Sequence, residues 1–340
     1  MEFGKDDDLL RGKTRAVYDD RAPGLKLPVL CTVLLTEQMQ TWKELRDGYA
    51  LLKEVRQRSL QCRGFTVLLQ HNPGRMRSTT ARVDEESTRR RPCFLCPDNL
   101  PEGQKGILYR NDYLILCNPM PVSAAHFTVS TLRHEPQGLE GNAAALLQLA
   151  ADLGEGWAAM YNGPQCGASA PDHLHFQAMP AGKTPVEQEM KKDGAFAEVR
   201  RVGGAVIRQA TGLGREVLLV EGDHAEEVGA GLSAIIAALK AAARTDAEPM
   251  MNIIALHADA QWRVIIFPRA RHRPEAFFAE GDAQVLVSPA VMEMAGLVVT
   301  PQERDFRRLT AAVVEAIYRE VSQKRDIVEA ALHDIEKFAR

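Results

Sequence analysis

Two stretches of this 340-residue chain repeat the same order of elements, and that repetition limits the folds open to it. In the first, extended apolar runs at 65–70, 113–117 and 126–129 precede an apolar-periodic segment at 140–160. Its 3.6-residue period predicts a helix, and 173–179 reads as a further strand. In the second, 216–220 reads as a strand, 231–242 as a helix, and 252–257 and 262–268 as strands. Strand, helix and later strand, met twice, predict an α+β chain of two related halves, each an antiparallel sheet with packed helices. The expected divisions are an N-terminal segment over 1–64 packing on the core, a first half over 65–190 and a second half over 191–340. A helix is expected at about 38–57, irregular chain over 76–104, and one or two helices from Thr300 onward.

The first half carries the chemistry. In His173-Leu174-His175-Phe176-Gln177 the polar side chains alternate with apolar ones. On a strand, period two puts His173, His175 and Gln177 on one face and turns Leu174 and Phe176 into the core. Imidazole is largely unprotonated near neutral pH and attacks phosphorus well. His175 is therefore the candidate nucleophile. Gln177 can hold a nonbridging phosphoryl oxygen through its amide without supplying a proton. The small, flexible run from Gly163 to Pro171 lies just before this strand and can bring backbone N–H groups and the Ser169 hydroxyl close to a phosphate. The second half has no His-x-His pair, so any duplication leaves the chemistry on one side.

Cys93-x-x-Cys96 is common ligand spacing for zinc, and a redox thiol pair is its direct competitor. A four-coordinate site needs two more ligands. His134 and His173 are available, with His126 as a substitute for His134. If His173 binds metal, it is not the nucleophile, and the two histidines divide the labour. Such a zinc is structural, because no ligand position stays open for water. Guanidinium forks suit phosphate oxygens, and about two or three are enough for a diphosphate. Arg75 and Arg77, beside the turn Asn72-Pro73-Gly74, are the favoured pair. Arg89 to Arg91 abut the cysteines, and Arg263, Arg269, Arg271, His272 and Arg273 lie on or beside the last strong strand. With Gly167, Ser169 and Asn162, Arg75 and Arg77 make up the expected substrate-binding set.

These motifs resemble the galactose-1-phosphate uridylyltransferase branch of the histidine-triad (HIT) superfamily. The likeness rests on the run from Gly167 to Gln177, on Cys93-Phe94-Leu95-Cys96, and on the segments 126–129 and 134–137. It implies a HIT-like fold of two halves and a nucleotidyl-histidine formed at His175, with Gln177 in the glutamine position. It implies a structural Zn2+ held by Cys93, Cys96, His134 and His173, and it puts the family serine at Ser169. The run through Ala178 is most similar to GDP-hexose phosphorylases, and Gly167-Ala168-Ser169 is similar to diadenosine tetraphosphate phosphorylases. Asp172 departs from the pattern by adding one residue between Ser169 and His173. The implied activity is transfer of a nucleoside monophosphate from a nucleoside diphosphate sugar or dinucleoside polyphosphate to phosphate or a sugar 1-phosphate. The alternatives are a HIT-like nucleotide hydrolase, which Gln177 disfavours, and a non-enzymatic zinc-stabilised binding protein. A homodimer is common in the resembling family.

The bulk of the sequence narrows the setting. A formal net charge of −3 supplies no basic field for nucleic acid. The sequence contains no 18-residue uncharged apolar run, and its start lacks the basic-then-apolar pattern of a secretory signal. Six sparse cysteines fit a reducing compartment, so a cytoplasmic enzyme without a membrane partner is expected.

Overall fold

The structure is a computed structural model, and it describes residues 5–19 and 24–339. Fourteen strands occur among these residues: β1 (Thr14–Tyr18), β2 (Arg56–Gln61), β3 (Thr66–His71), β4 (Gly106–Tyr109), β5 (Tyr113–Cys117), β6 (Phe127–Thr131), β7 (Trp157–Asn162), β8 (His175–Pro180), β9 (Phe196–Val202), β10 (Ala205–Ala210), β11 (Leu218–Gly222), β12 (Met251–Ala258), β13 (Gln261–Pro268) and β14 (Leu297–Thr300). Eleven form one sheet in the order β1-β4-β5-β6-β8-β7-β12-β13-β11-β10-β9, and β14-β3-β2 form a second, smaller sheet.

The order of the large sheet shows the two halves. β4-β5-β6-β8-β7 on one side matches β9-β10-β11-β13-β12 on the other, and the halves meet where β7 pairs antiparallel with β12. The crossover in each half runs through a helix: Ala143–Leu153 between β6 and β7, and Ala225–Ala242 between β11 and β12. Pairing in the large sheet is antiparallel, except that β1 lies parallel to β4. The expected α+β architecture of two related, sheet-bearing halves with packed helices is the one observed.

The large sheet is buried on both faces. Leu174 and Phe176 join Val129, Ile115 and Tyr161 on one face, packed against the helices Leu27–Thr41, Ala143–Leu153 and Ala225–Ala242. Met160, Met179, Ile254 and Ile265 lie on the other face, covered by Val67 and Leu69 of the small sheet and by Ile317 and Tyr318 near the C-terminus. Strand alternation then puts His175, Gln177, Asn162 and Asn252 on this second face, where the apolar cover gives way to polar side chains.

Three expectations are corrected. The helix expected over 140–160 ends at Leu153, because Gly154 takes φ +68° and Gly156 φ +85°, and the chain returns as β7. The apolar residues after the Gly154-Glu155-Gly156 turn belong to a strand buried on both faces, and Trp157-Ala158-Ala159-Met160 resumes the apolar pattern of the helix. The helix expected over 38–57 is replaced by two helices, Leu27–Thr41 and Lys43–Leu51, and the chain is already extended at Arg56. The segment 76–104 contains two short helices, Met76–Thr79 and Glu85–Arg89. No helix among the described residues is long and apolar enough to cross a membrane.

Candidate active site and metal centre

His175 opens β8 and is 5% exposed. Its Nδ1 lies 2.8 Å from the carbonyl oxygen of His173, which only accepts, so Nδ1–H donates and Nε2 keeps its lone pair. Burial pushes the imidazole down to about 4, so the ring is neutral at ordinary pH. The buried amide of Gln137 fixes the strand here. Its Oε1 accepts from the His175 N–H at 2.8 Å, and its Nε2 donates to the carbonyls of His175 (3.1 Å) and Asn162 (2.8 Å).

Gln177 lies opposite Thr128 of β6. Its Oε1 accepts from Nε2 of His126 at 2.9 Å, which leaves the amide N–H groups as its free face. Burial and the nearby Arg75 charge push His126 down to about 3, so it too is a neutral donor, and its Nδ1 has no partner. His126 is thus spent on Gln177 and is not the substitute metal ligand considered from spacing.

Cys93, Cys96, His134 and His173 converge, with all four candidate ligand atoms within 4.8 Å of one another. Nδ1 of His173 is 3.3 Å from Cys93 Sγ and 3.6 Å from Cys96 Sγ, and Nδ1 of His134 is 3.3 Å from Cys96 Sγ. Zinc bond lengths of about 2.0–2.3 Å in a tetrahedron give ligand–ligand edges of roughly 3.5 Å, so the donor set fits that ion. Nε2–H of His173 donates to Thr131 O at 2.8 Å, which turns the Nδ1 lone pair toward the thiols. The cluster could coordinate a metal ion in the manner of a structural zinc site, and no described cysteine forms a disulfide.

A small cavity of about 40 Å³ opens between the segments 75–83 and 167–169 and the segment 272–299, and neither His175 nor Gln177 is in its wall. Arg75, Gly167 and Ser169 line it on one side, and His272, Arg273 and Glu293 on the other. Arg75 is anchored through Nη1 to Met120 O at 2.7 Å. Arg273 is held by Ser288 Oγ (2.8 Å) and by the carbonyls of Thr79 and Ala81, and its guanidinium lies 4.2 Å from the Phe277 ring centroid. Gly167 has φ +94°, and a Cβ there would lie 2.5 Å from that of Ala290, so only glycine suits this approach of the halves.

Not every expected residue is brought together. Arg77 is exposed and is not part of the cavity wall. Asn162 is buried outside the wall, where its Oδ1 accepts from Asn252 Nδ2 (2.7 Å) and the Val291 N–H (2.8 Å), joining the halves. Arg269 is buried, with its donors spent on Asn252 and on backbone carbonyls that include Pro289 and Val321. Arg89 and Arg90 pair with Glu85 and Glu86 on an exposed helix. Sequence reasoning passed over Gln137, Glu293 and the link between His126 and Gln177, because each depends on a partner far along the chain.

A family profile described as a domain of unknown function (DUF4922) matches residues 34–180, the part that holds the metal cluster, His175 and Gln177. No curated protein matches the sequence. Among solved structures, yeast Ap4A phosphorylase Apa2 in complex with Ap4A is similar at a TM-score of 0.53 and 14% identity, over 83% of this chain and 97% of that one. The same enzyme in complex with AMP gives 0.52 and 13%, over 85% and 96%. A uridylyltransferase mutant gives 0.38 and 15%, over 72% and 94%. The chain therefore shares the two-halved α+β fold of the Ap4A phosphorylase.

Proposed function

We propose that this chain is a nucleotidyltransferase or nucleotide phosphorylase that works through a nucleotidyl-histidine at His175. One observation carries the reading. A buried, neutral imidazole has its Nδ1–H tied to a main-chain carbonyl, which leaves Nε2 as a lone-pair nucleophile, and Gln177 lies two residues along the same face. The shared fold with Ap4A phosphorylase supports it.

In this reading Nε2 attacks the α-phosphorus of a nucleoside diphosphate sugar or dinucleoside polyphosphate. The bond from that phosphorus to the bridging oxygen breaks, and the leaving phosphate departs with the electron pair. The imidazole becomes cationic, and its Nδ1–H bond to His173 O strengthens as charge develops. An oxygen of inorganic phosphate or a sugar phosphate then attacks the same phosphorus, and Nε2 recovers its lone pair. Gln177, held by His126, offers amide N–H to a nonbridging oxygen at both stages and has no proton to give a leaving group. Arg75, Arg273 and Ser169 receive the departing and incoming phosphates in the cavity. A zinc ion on Cys93, Cys96, His134 and His173 would cross-link the chain just before the nucleophile and take no part in the chemistry.

The test is intact mass spectrometry after incubation with ADP-, GDP- and UDP-sugars and dinucleoside polyphosphates, with and without phosphate. A mass gain of one nucleotide, discharged by phosphate and lost in His175→Ala, is the expected result. Discharge by water alone would make the chain a hydrolase. No adduct and no turnover across the panel would leave a binding protein and end the proposal.

A further inference from the structure

Asp172 is the residue that interrupts the expected spacing between Ser169 and His173, and the chemistry above gives it no role. The structure places it between two features described separately so far. One carboxylate oxygen accepts from Arg91 Nη2 at 3.1 Å. The other lies 4.0 Å from Nε2 of His134, whose Nδ1 faces Cys96 Sγ. The same Nη2 of Arg91 also donates to the main-chain oxygen of Ser169 at 3.2 Å, and Ser169 lines the cavity. The Arg91 guanidinium lies over Phe94, inside the Cys-x-x-Cys turn, at 4.8 Å from its ring centroid. Ala170 packs against Cys93 and Leu95 of that turn. The Arg91 and Asp172 side chains are 26% and 22% exposed, so the pair is shielded from much of the screening that weakens surface pairs.

We propose that Arg91 and Asp172 are positioning residues that tie the metal centre to the loop presenting Gly167 and Ser169 to the cavity. Asp172 stands 4.0 Å from the outer nitrogen of His134, the most exposed of the four candidate ligands, beyond direct hydrogen-bond reach but on the side of the ring away from the metal, where it can steady the ring once His134 is bound. Arg91 carries that constraint across to Ser169 O. Metal occupancy and loop order are then two readings of one contact, and each favours the other. The added residue serves this purpose: without it, the carboxylate would not stand between Arg91 and His134. The inference rests on the metal and cavity readings, not on chemistry at His175.

The test uses zinc-loaded full-length protein as wild type, Asp172→Ala, Arg91→Ala, Arg91→Lys and the double alanine variant. Zinc affinity is measured by competition with a chromogenic chelator. Backbone order over residues 163–172 is measured by hydrogen exchange with zinc saturating. Loss of an outer partner lowers metal affinity by roughly 10- to 100-fold, and that is expected for each alanine variant. The double variant should be no worse than the weaker single one, because both remove one strap. Exchange over 163–172 should quicken in Arg91→Ala even with zinc bound. Arg91→Lys keeps the charge with a single donor group, so it should hold zinc better than Arg91→Ala. If Arg91→Ala does not fold, Arg91→Lys and Asp172→Ala decide the matter. Zinc affinities within about threefold of wild type, additive single effects, or unchanged exchange in the loop would each overturn the proposal. So would a wild type that binds no zinc. A nucleotide adduct at His175 under any of these outcomes would leave the proposed function standing while this inference falls.

Discussion

Replacing His175 with asparagine tests the electrostatic state of the proposed nucleophile without any substrate. Burial holds its imidazole at about 4, against an ordinary 6.5. On acidification the unfolded chain takes up this proton near pH 6.5, and the folded chain refuses it until about pH 4. Between those values the unfolded state binds more protons, so stability falls as pH is lowered, and the loss is complete below the folded value. The gap from 6.5 to about 4 corresponds to roughly 3 kcal/mol in full. About 1.3 kcal/mol of it is lost between pH 7.5 and 5.5. In His175→Asn an amide N–H still reaches toward the His173 carbonyl, and the titrating group is gone. Urea unfolding followed by tryptophan fluorescence at pH 7.5, 6.5 and 5.5, with zinc present throughout, measures the difference. The other histidines and the metal ligands titrate in both proteins and cancel in the comparison. Wild type should lose about 1.3 kcal/mol more than the variant over that range. Equal losses, within about 0.3 kcal/mol, would refute the claim that burial keeps His175 neutral.

Three further outcomes are expected. Gly167→Ala meets both a positive φ and a clash with Ala290, so it should cost about 1–3 kcal/mol in thermal unfolding, and a Tm within about 1 °C of wild type would contradict the close approach. Gln137→Leu strands the amide and carbonyl groups of His175 and the carbonyl of Asn162, and should cost about 2–4 kcal/mol in urea unfolding, where a loss under about 0.5 kcal/mol would show that the hub is dispensable. Removing metal by chelation, or replacing Cys96 with serine, should lower the Tm and abolish one equivalent of zinc in native mass spectra. Zinc retained in full by the serine variant would remove Cys96 from the ligand set.

The features legible in the sequence were those written in local spacing. Cys93-x-x-Cys96 and the alternation of His175 and Gln177 depend on neighbours two or three residues away, and the structure keeps both, but the strand expected over 173–179 begins only at His175, and His173 lies in the turn before it, where its N–H bonds to Ala170 O. Strands with unbroken apolar runs, such as β5, β12 and β13, were visible for the same reason. The hairpin of β9 and β10 was missed, because β9 forms the sheet edge and carries Glu198, Arg200 and Arg201 where a buried strand would be apolar. The helix ending at Leu153 was overrun because Ala suits either element, and the stop lies in Gly154-Glu155-Gly156, whose two glycines take positive φ. Burial of Asn162 follows from Asn252, ninety positions later. The far wall of the cavity is of the same kind. His272 and Arg273 were visible as a basic run and Glu293 was not, and nothing near any of them in sequence says that they face Arg75.

The seam between the halves has one more consequence. Residues 158–162 of β7 and 252–256 of β12 are in continuous register, so the two halves share a single hydrogen-bonded plate. A hinge at that seam would have to break the ladder along its length. If the proposed function holds, ligand entry and release fall to the segments that line the cavity, the turns around Arg75 and Arg273 and the chain near Ser288. His175, the proposed nucleophile, stands on β8, one strand from that seam.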